Sequence, residues 1–333
     1  MVHASSIALG ILCGPLVCVY VTFAACFCPS RLRQSGESDE KKRFERRQKM
    51  APRPLVLHRQ RALSIPLPDT ECMNEGRKTL DQSQSRLMRL PLELREMIYR
   101  NVLGDNTLHM ILKEQKLGHL RCKASNALEC PLRYNGRTLG RESCWGPVDS
   151  ANIWAPKSGI NEPTDGNIIP FLRTCRQVYS EAINFLYSTN VFSFQDLDCL
   201  RHFSATVLPK RFNLVKKLDI EWYMTWPIYD PTAQQLLLNN PALYPPYDEA
   251  TWEETWRIIA NLPSLKFLRV SLLYYDGFQD PACEKKILAP LYKVTQAPVF
   301  EVRVSWDGRE ITGAPFRLIR PVPNDPTADD DSW

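Results

Sequence analysis

Three stretches late in the 333-residue chain share one apolar spacing, and that spacing limits the folds open to them. They are Val215-x-x-Leu218-x-Ile220, Leu265-x-x-Leu268-x-Val270 and Val299-x-x-Val302-x-Val304. Alternation of this kind turns one side of an extended segment toward a core. It predicts strands at 215–222, 266–274 and 299–306. Helical patterns fall between and before them, near 196–207, 250–261 and 283–293. Helix and strand in turn favour a parallel sheet built from crossover units, so the expected class is α/β, with α+β as the variant. The spacing is also that of a leucine-rich repeat. The intervals are 50 (268 − 218) and 34 (302 − 268) residues, far from a regular period. The expectation is therefore an irregular, leucine-rich-repeat-like α/β layer, with an ordinary open α/β sheet as the alternative.

Upstream, "RLMRLPLELREMIYRNVLG" (86–104) reads as a helix, with Pro91 suited to its first turn and Gly104 to the position past its end. Leu94, Met97, Ile98 and Val102 fall on one face. "TLHMILKEQKLGHLRC" (107–122) reads as a hairpin, and residues 123–168 as a long irregular excursion. "PFLRTCRQVYSEAINFLYSTNVFSF" (170–194) predicts a helix opened by Pro170 and stopped by "STN", then a strand at "VFSF".

The N-terminal region has a different character. Ser5–Cys28 is 24 residues without a charge, or roughly 36 Å of helix, enough for a hydrocarbon core of about 30 Å. Nine basic residues (Arg31, Arg33, Lys41, Lys42, Arg43, Arg46, Arg47, Lys49, Arg53) and four acids (Glu37, Asp39, Glu40, Glu45) follow. Nine minus four is +5, the net charge of the whole chain, so the remainder is neutral and gives no broad nucleic-acid-binding face. A single membrane-spanning helix at 5–28 is expected, with the basic side and the C-terminal domain in the cytosol. A cleaved signal peptide is the rival reading, disfavoured because no Lys or Arg precedes the apolar run. Cys26 and Cys28 at the membrane edge are candidates for S-acylation, or simply small residues of a membrane helix. Residues 29–85 read as a basic, largely disordered tether, 86–322 as the folded domain and 323–333 as an acidic disordered tail.

Motifs for catalysis are missing. The chain has no G-x-S-x-G, P-loop, H-E-x-x-H or G-x-G-x-x-G. His119, Cys122, Cys130 and Cys144 are the one conceivable metal cluster, and they lack a C-x-x-C knuckle, so no metal and no cofactor is expected. Aromatics do crowd past the predicted carboxyl ends of the strands: Trp222, Tyr223, Trp226 and Tyr229, then Tyr274, Tyr275 and Phe278, then Trp306. Loops beyond those ends are where open α/β sheets bind ligands, and exposed rings anchor protein interfaces. Rings closing off the apolar layer is the other reading, and the size of the side chains tips the balance slightly toward it.

The stretch Leu90-Pro91-Leu92-Glu93-Leu94-Arg95 with Met97-Ile98-Tyr99 resembles the start of an F-box, a helical hook that binds the Skp1 adaptor of cullin-RING ubiquitin ligases. Together with Arg173-Thr174-Cys175-Arg176-Gln177-Val178-Tyr179-Ser180-Glu181-Ala182 and Tyr187, it resembles a large fungal family of uncharacterised F-box-like proteins. That resemblance implies a protein-interaction role without enzymatic activity, and a Skp1-type adaptor held by Leu90, Pro91, Leu94 and Ile98. The alternative is that this helix packs on the 170–187 helix to form the domain's own core, and that role ranks ahead of Skp1 docking. Arg95 and Glu181 have the complementary charge to pair across such a contact. The expected function is a membrane-tethered, non-enzymatic interaction module acting as an F-box-like substrate receptor, with the sheet-end aromatics as a second binding surface. An enzyme with a dispersed site and a purely structural anchored domain are the alternatives.

Overall fold

The computed structural model describes residues 51–56, 82–113, 115–122, 148–149, 152–156, 168–224, 228–231, 248–274, 281–309 and 311–321, with positions 45, 49 and 235. The expected spanning segment, most of the basic tether and the acidic tail lie outside the described residues. Among the described residues no helix is long and apolar enough to cross a membrane.

The chain is mixed α/β around a seven-stranded sheet. Helix α1 (Leu92–Leu103) leads into a hairpin of β1 (Thr107–Lys113) and β2 (Lys116–Arg121). The expected irregular excursion contains a second, two-stranded antiparallel sheet, β3 (Val148–Asp149) with β4 (Asn152–Pro156). The single helix expected from Pro170 is instead two, α2 (Ile168–Leu172) and α3 (Arg176–Thr189). Cys175 sits between them in extended conformation, and its thiol accepts the Val178 amide at 3.4 Å, so this residue starts a new helix. Strand β5 (Val191–Phe194), α4 (Leu197–Thr206) and a short α5 (Pro209–Phe212) follow. Then come β6 (Lys217–Tyr223), α6 (Glu249–Ala260), β7 (Phe267–Leu273), α7 (Pro281–Leu288) with a 3-10 turn at Ala289–Lys293, β8 (Val299–Val304) and β9 (Arg317–Ile319).

Strand order is β2-β1-β5-β6-β7-β8-β9, and every neighbouring pair except the hairpin is parallel. The predicted alternation is therefore realised strand by strand. Register refines one detail. Leu218 lies beside Leu268 and Ile220 beside Val270, as the shared spacing requires. In β8, however, Phe300 pairs with Leu268 and Val302 with Val270. The unit equivalent to Leu265-x-x-Leu268-x-Val270 is thus Ala297-x-x-Phe300-x-Val302, all buried, and Val299 is left exposed. A shift of two residues preserves which side faces the core, so the pattern alone cannot fix it.

Helices cover one face of the sheet. Phe203 of α4 meets Phe192 at 5.0 Å and Phe194 at 5.5 Å between ring centroids. Trp252 of α6 stacks on Trp222 of β6 at 4.6 Å, and Trp256 lies over Phe300 of β8 at 6.4 Å. One apolar core runs continuously from Tyr99 to Phe316. The other face is polar over β6, β7 and β8. Register sets Ser193, Asp219, Arg269, Glu301 and Arg317 in a single row across five strands. Arg269 donates from Nε to Glu301 at 3.4 Å and lies 5.3 Å from the Phe267 ring centre. Parallel strands are usually apolar on both sides, because both are normally covered. The alternating "KLDIEWY" of β6 fits a strand with one buried side, whereas β7 beside it is buried on both, Arg269 and Ser271 included. At the β1–β2 end, Ile111, His109 and Leu120 are buried on the second face too.

Candidate functional site

Helix α1 starts without a side-chain cap, at Pro91, whose carbonyl accepts the Arg95 amide at 3.1 Å. The preceding turns, residues 82–90, are closed by short-range bonds such as Ser85 N–H to Gln82 O at 2.9 Å. Leu87 and Met88 pack against the core. Tyr99 and Leu103 are fully buried, and Tyr99 lies 6.0 Å from Phe171 of α2.

The predicted Arg95–Glu181 pair is present, and it is bidentate. Arg95 donates from Nε to Oε2 at 2.9 Å and from Nη2 to Oε1 at 3.1 Å. The Tyr99 hydroxyl donates to Oε2 at 2.8 Å and Gln177 Nε2 to Oε1 at 3.0 Å. Arg95 Nη1 also donates to the carbonyls of Leu90, at 2.7 Å, and Met88, at 3.3 Å. One guanidinium thus ties the entry turn, α1 and α3 together. Burial alone would raise the Glu181 carboxyl, but the bonds from Arg95, Gln177 and Tyr99 outweigh it and hold it below the usual carboxylate range. Burial, and then the bond to Glu181, push the Tyr99 phenol up to about 12, so it remains a donor at neutral pH.

The end of α1 is held by a residue the sequence reading passed over. Asn190 is completely buried, donating from Nδ2 to Leu103 O at 2.6 Å and to Leu186 O at 2.8 Å, and accepting the Asn106 amide at 2.8 Å. It closes the last turns of α1 and α3 and the entry to β1 with one side chain. Its sole sequence signal was its place in the "STN" stop. Gly104 does end α1, but in extended conformation, and the left-handed residue is Asp105, with φ of 54°. Gly104 is needed for space: a Cβ there would press on Thr189 and lie 2.8 Å from the Arg100 carbonyl.

With its buried side fixed by Tyr99, Leu103, Arg95 and Glu181, α1 turns a different apolar ridge outward. Leu94 is 45% exposed and Met97 68% exposed, Pro91 is exposed, and Leu90 and Ile98 are half-buried. The predicted apolar face of Leu94, Met97, Ile98 and Val102 is therefore not the core face. Val102 and Ile98 are half-buried, and the core contact runs through Tyr99 and Leu103 instead.

The sheet-end aromatics need a correction. Trp222, Tyr229, Tyr274 and Trp306 are buried, so they close the end of the apolar layer and cannot anchor a partner from the surface. Trp306 Nε1 donates to Glu284 at 3.0 Å and Arg320 reaches the same oxygen at 2.7 Å, which fixes that corner. Burial also raises the Tyr229 phenol above its ordinary range. Tyr223 alone of the described sheet-end rings is partly open, at 39%. Trp226 and Tyr275 lie outside the described residues, as do Cys130 and Cys144 of the conceivable metal cluster. Among the described residues no three His, Cys, Asp or Glu side chains are grouped to hold a metal ion.

The sequence matches a family described as a domain of unknown function, DUF7730, over residues 80–321. No curated protein and no solved structure matches the chain. The matched span takes in the Arg95–Glu181 clasp, the Asn190 closure and the whole seven-stranded sheet, and the chain belongs to the DUF7730 family.

Proposed function

We propose that the protein is a membrane-tethered, non-enzymatic interaction module whose α1 ridge docks a helical adaptor of the Skp1 type, in the manner of an F-box-like substrate receptor. One observation carries this reading. Arg95, Tyr99 and Leu103 fix α1 from one side while Leu94 and Met97 stay open on another. A helix held in this way presents a preformed apolar ridge, the element used in helix-in-groove recognition. The L-P-L-E-L-R-E-M-I-Y stretch and its resemblance to fungal F-box-like proteins support the same surface. Sequential parallel strands with helices on one face and a polar opposite face support a leucine-rich-repeat-like layer as the receptor's body. The uncharged length of 5–28 and its basic flank support a single span with the domain on the cytosolic side.

Co-purification of Skp1 with the intact protein tests the docking. Leu94→Asp is expected to leave the melting temperature unchanged and to cut Skp1 recovery more than about tenfold, as loss of a central apolar anchor does. Absence of Skp1 from an unbiased pull-down of the parent protein would sink the reading. Carbonate extraction tests the tether, and release into the supernatant would refute a span.

A further inference from the structure

Three arginines surround one carboxylate on the polar face of the sheet. Arg269 of β7 stands beside Glu301 of β8, and Arg317 of β9 stands on the other side of Glu301. Arg303 lies two residues further along β8, so it shares that face, and Ser271 of β7 stands beside it. Contacts join the group. Arg269 Nε donates to Glu301 Oε2 at 3.4 Å, and Arg303 Nη2 lies 4.0 Å from the same oxygen. Among the described residues the three arginines have no other ion pair, and neither the Nη groups of Arg269 nor any N–H of Arg303 has a hydrogen-bond acceptor. Arg269 is only 4% exposed, and Arg303 Nε is shut off from solvent without a partner. Ser271 is buried beside them. Buried cationic groups this short of acceptors are costly to keep in a fold.

We propose that this cluster binds a phosphate-type oxyanion. Charge sets the class. Three guanidinium groups against the Glu301 carboxylate leave +2 (three minus one). A phosphate group carries about −1.5 to −2 at neutral pH. The other acids of this face, Asp219 and Glu221, stand on β6, across β7 from Arg303, and have partners of their own. Geometry agrees with charge. Arg269 and Arg303 come from neighbouring strands and converge on one oxygen atom, so their remaining N–H groups suit an anion with three or more acceptor oxygens better than a carboxylate with two. The surroundings of the buried Arg269 strengthen the attraction, since charges interact more strongly away from water. Arg303, 37% exposed, and the exposed Arg317 form the entrance. Glu301 holds two like charges together and competes with the anion for them. A free phosphate ion and a phosphorylated side chain both present this chemistry. None of these residues belongs to the α1 ridge, so the site stands or falls independently of the docking reading.

Isothermal titration calorimetry on the full-length protein tests the site, with inorganic phosphate, O-phosphoserine and acetate as probes at about pH 7.5 in a phosphate-free buffer. Saturable single-site binding of inorganic phosphate or phosphoserine below about 10 mM is expected. Saturation by neither, or acetate binding as tightly as both, overturns the proposal. Within a positive result, tighter binding of phosphoserine assigns the source to a phosphorylated side chain, and tighter binding of inorganic phosphate assigns it to the free ion. Arg303→Gln, at a part-exposed position, is expected to weaken binding about tenfold and Arg317→Gln about threefold, while Arg257→Gln on α6 leaves it unchanged. Equal affinity in all three variants overturns the proposal. Glu301→Gln gives the opposite sign. With the competing carboxylate gone, phosphate binding is expected to tighten at least about threefold, a gain that a merely structural ion pair does not produce. Unchanged or weaker binding in a Glu301→Gln protein with the parent's circular dichroism overturns the proposal.

Discussion

The most consequential single residue is Asn190. Its amide satisfies two carbonyls and one backbone amide in a space closed to water, so no substitute of similar size replaces it. Asn190→Ala is expected to cost about 3 kcal/mol, because it leaves buried backbone groups unpaired as well as losing its own bonds, and urea unfolding reads this directly. Glu181 carries the pH dependence of the same contact. Its carboxyl is held below its ordinary value in the folded protein, so the ionised form is the one that stabilises. That contribution is complete above the ordinary carboxylate value of about 4.3, and is lost as pH falls through and below it. Glu181→Gln should therefore melt below the parent at neutral pH, and the gap should narrow as thermal scans are taken into acid below about pH 4. The Arg95–Glu181 pairing was legible from complementary charge in two motifs. Asn190 was not, because an asparagine ending a helix looks the same whether its amide meets water or three backbone groups.

Helix α1 makes the same point with a whole element. Its limits were readable from Pro91 and Gly104. Its orientation was not, because two apolar stripes share the helix, Leu94 with Met97 and Tyr99 with Leu103, and periodicity ranks them equally. The clasp onto α3 decides between them. Leu94→Asp or Met97→Gln is expected to change stability by no more than about 0.5 kcal/mol, whereas Leu103→Ala should cost about 3 kcal/mol, and a comparison of denaturation midpoints separates the two stripes. A similar ambiguity explains the break between α2 and α3. "FLRTCRQVYSEA" keeps its apolar spacing straight through Cys175, so the pattern reads as one helix, and only the thiol cap on the Val178 amide marks the restart. Gly104 adds a third case, since its lack of a side chain makes room for Thr189 rather than permitting a left-handed turn.

Across the molecule, one core joins the α1–α3 clasp to the far end of the sheet, with Trp222, Trp252, Trp256 and Phe300 in successive contact at its centre. Trp256 is fully buried between Trp252 and Phe300, so Trp256→Ala should cost about 4 kcal/mol and shift the unfolding of α1 as much as that of the sheet. Hydrogen exchange at the Tyr99 and Trp222 amides would show it, and a loss confined to the sheet would mean two independently folding units. The alternating periods of strand and helix were enough to establish α/β class, parallel pairing and most element positions, since burial of one side repeats every two residues in a strand and about every 3.6 in a helix. The sheet-end rings illustrate the limit. Trp222, Tyr229, Tyr274 and Trp306 have the same composition whether they reach for a partner or seal the layer, and their burial is set by tertiary packing, with Trp222 stacked on Trp252 and Trp306 held at Glu284 and Arg320. The sequence by itself determined the alternation of helix and strand across the main sheet and the complementary charges of Arg95 and Glu181, because these depend on local periodicity and residue chemistry. Only the tertiary structure decided the strand register at Phe300, the break between α2 and α3 and the outward ridge of α1, because each depends on which of several equally apolar surfaces the rest of the chain covers.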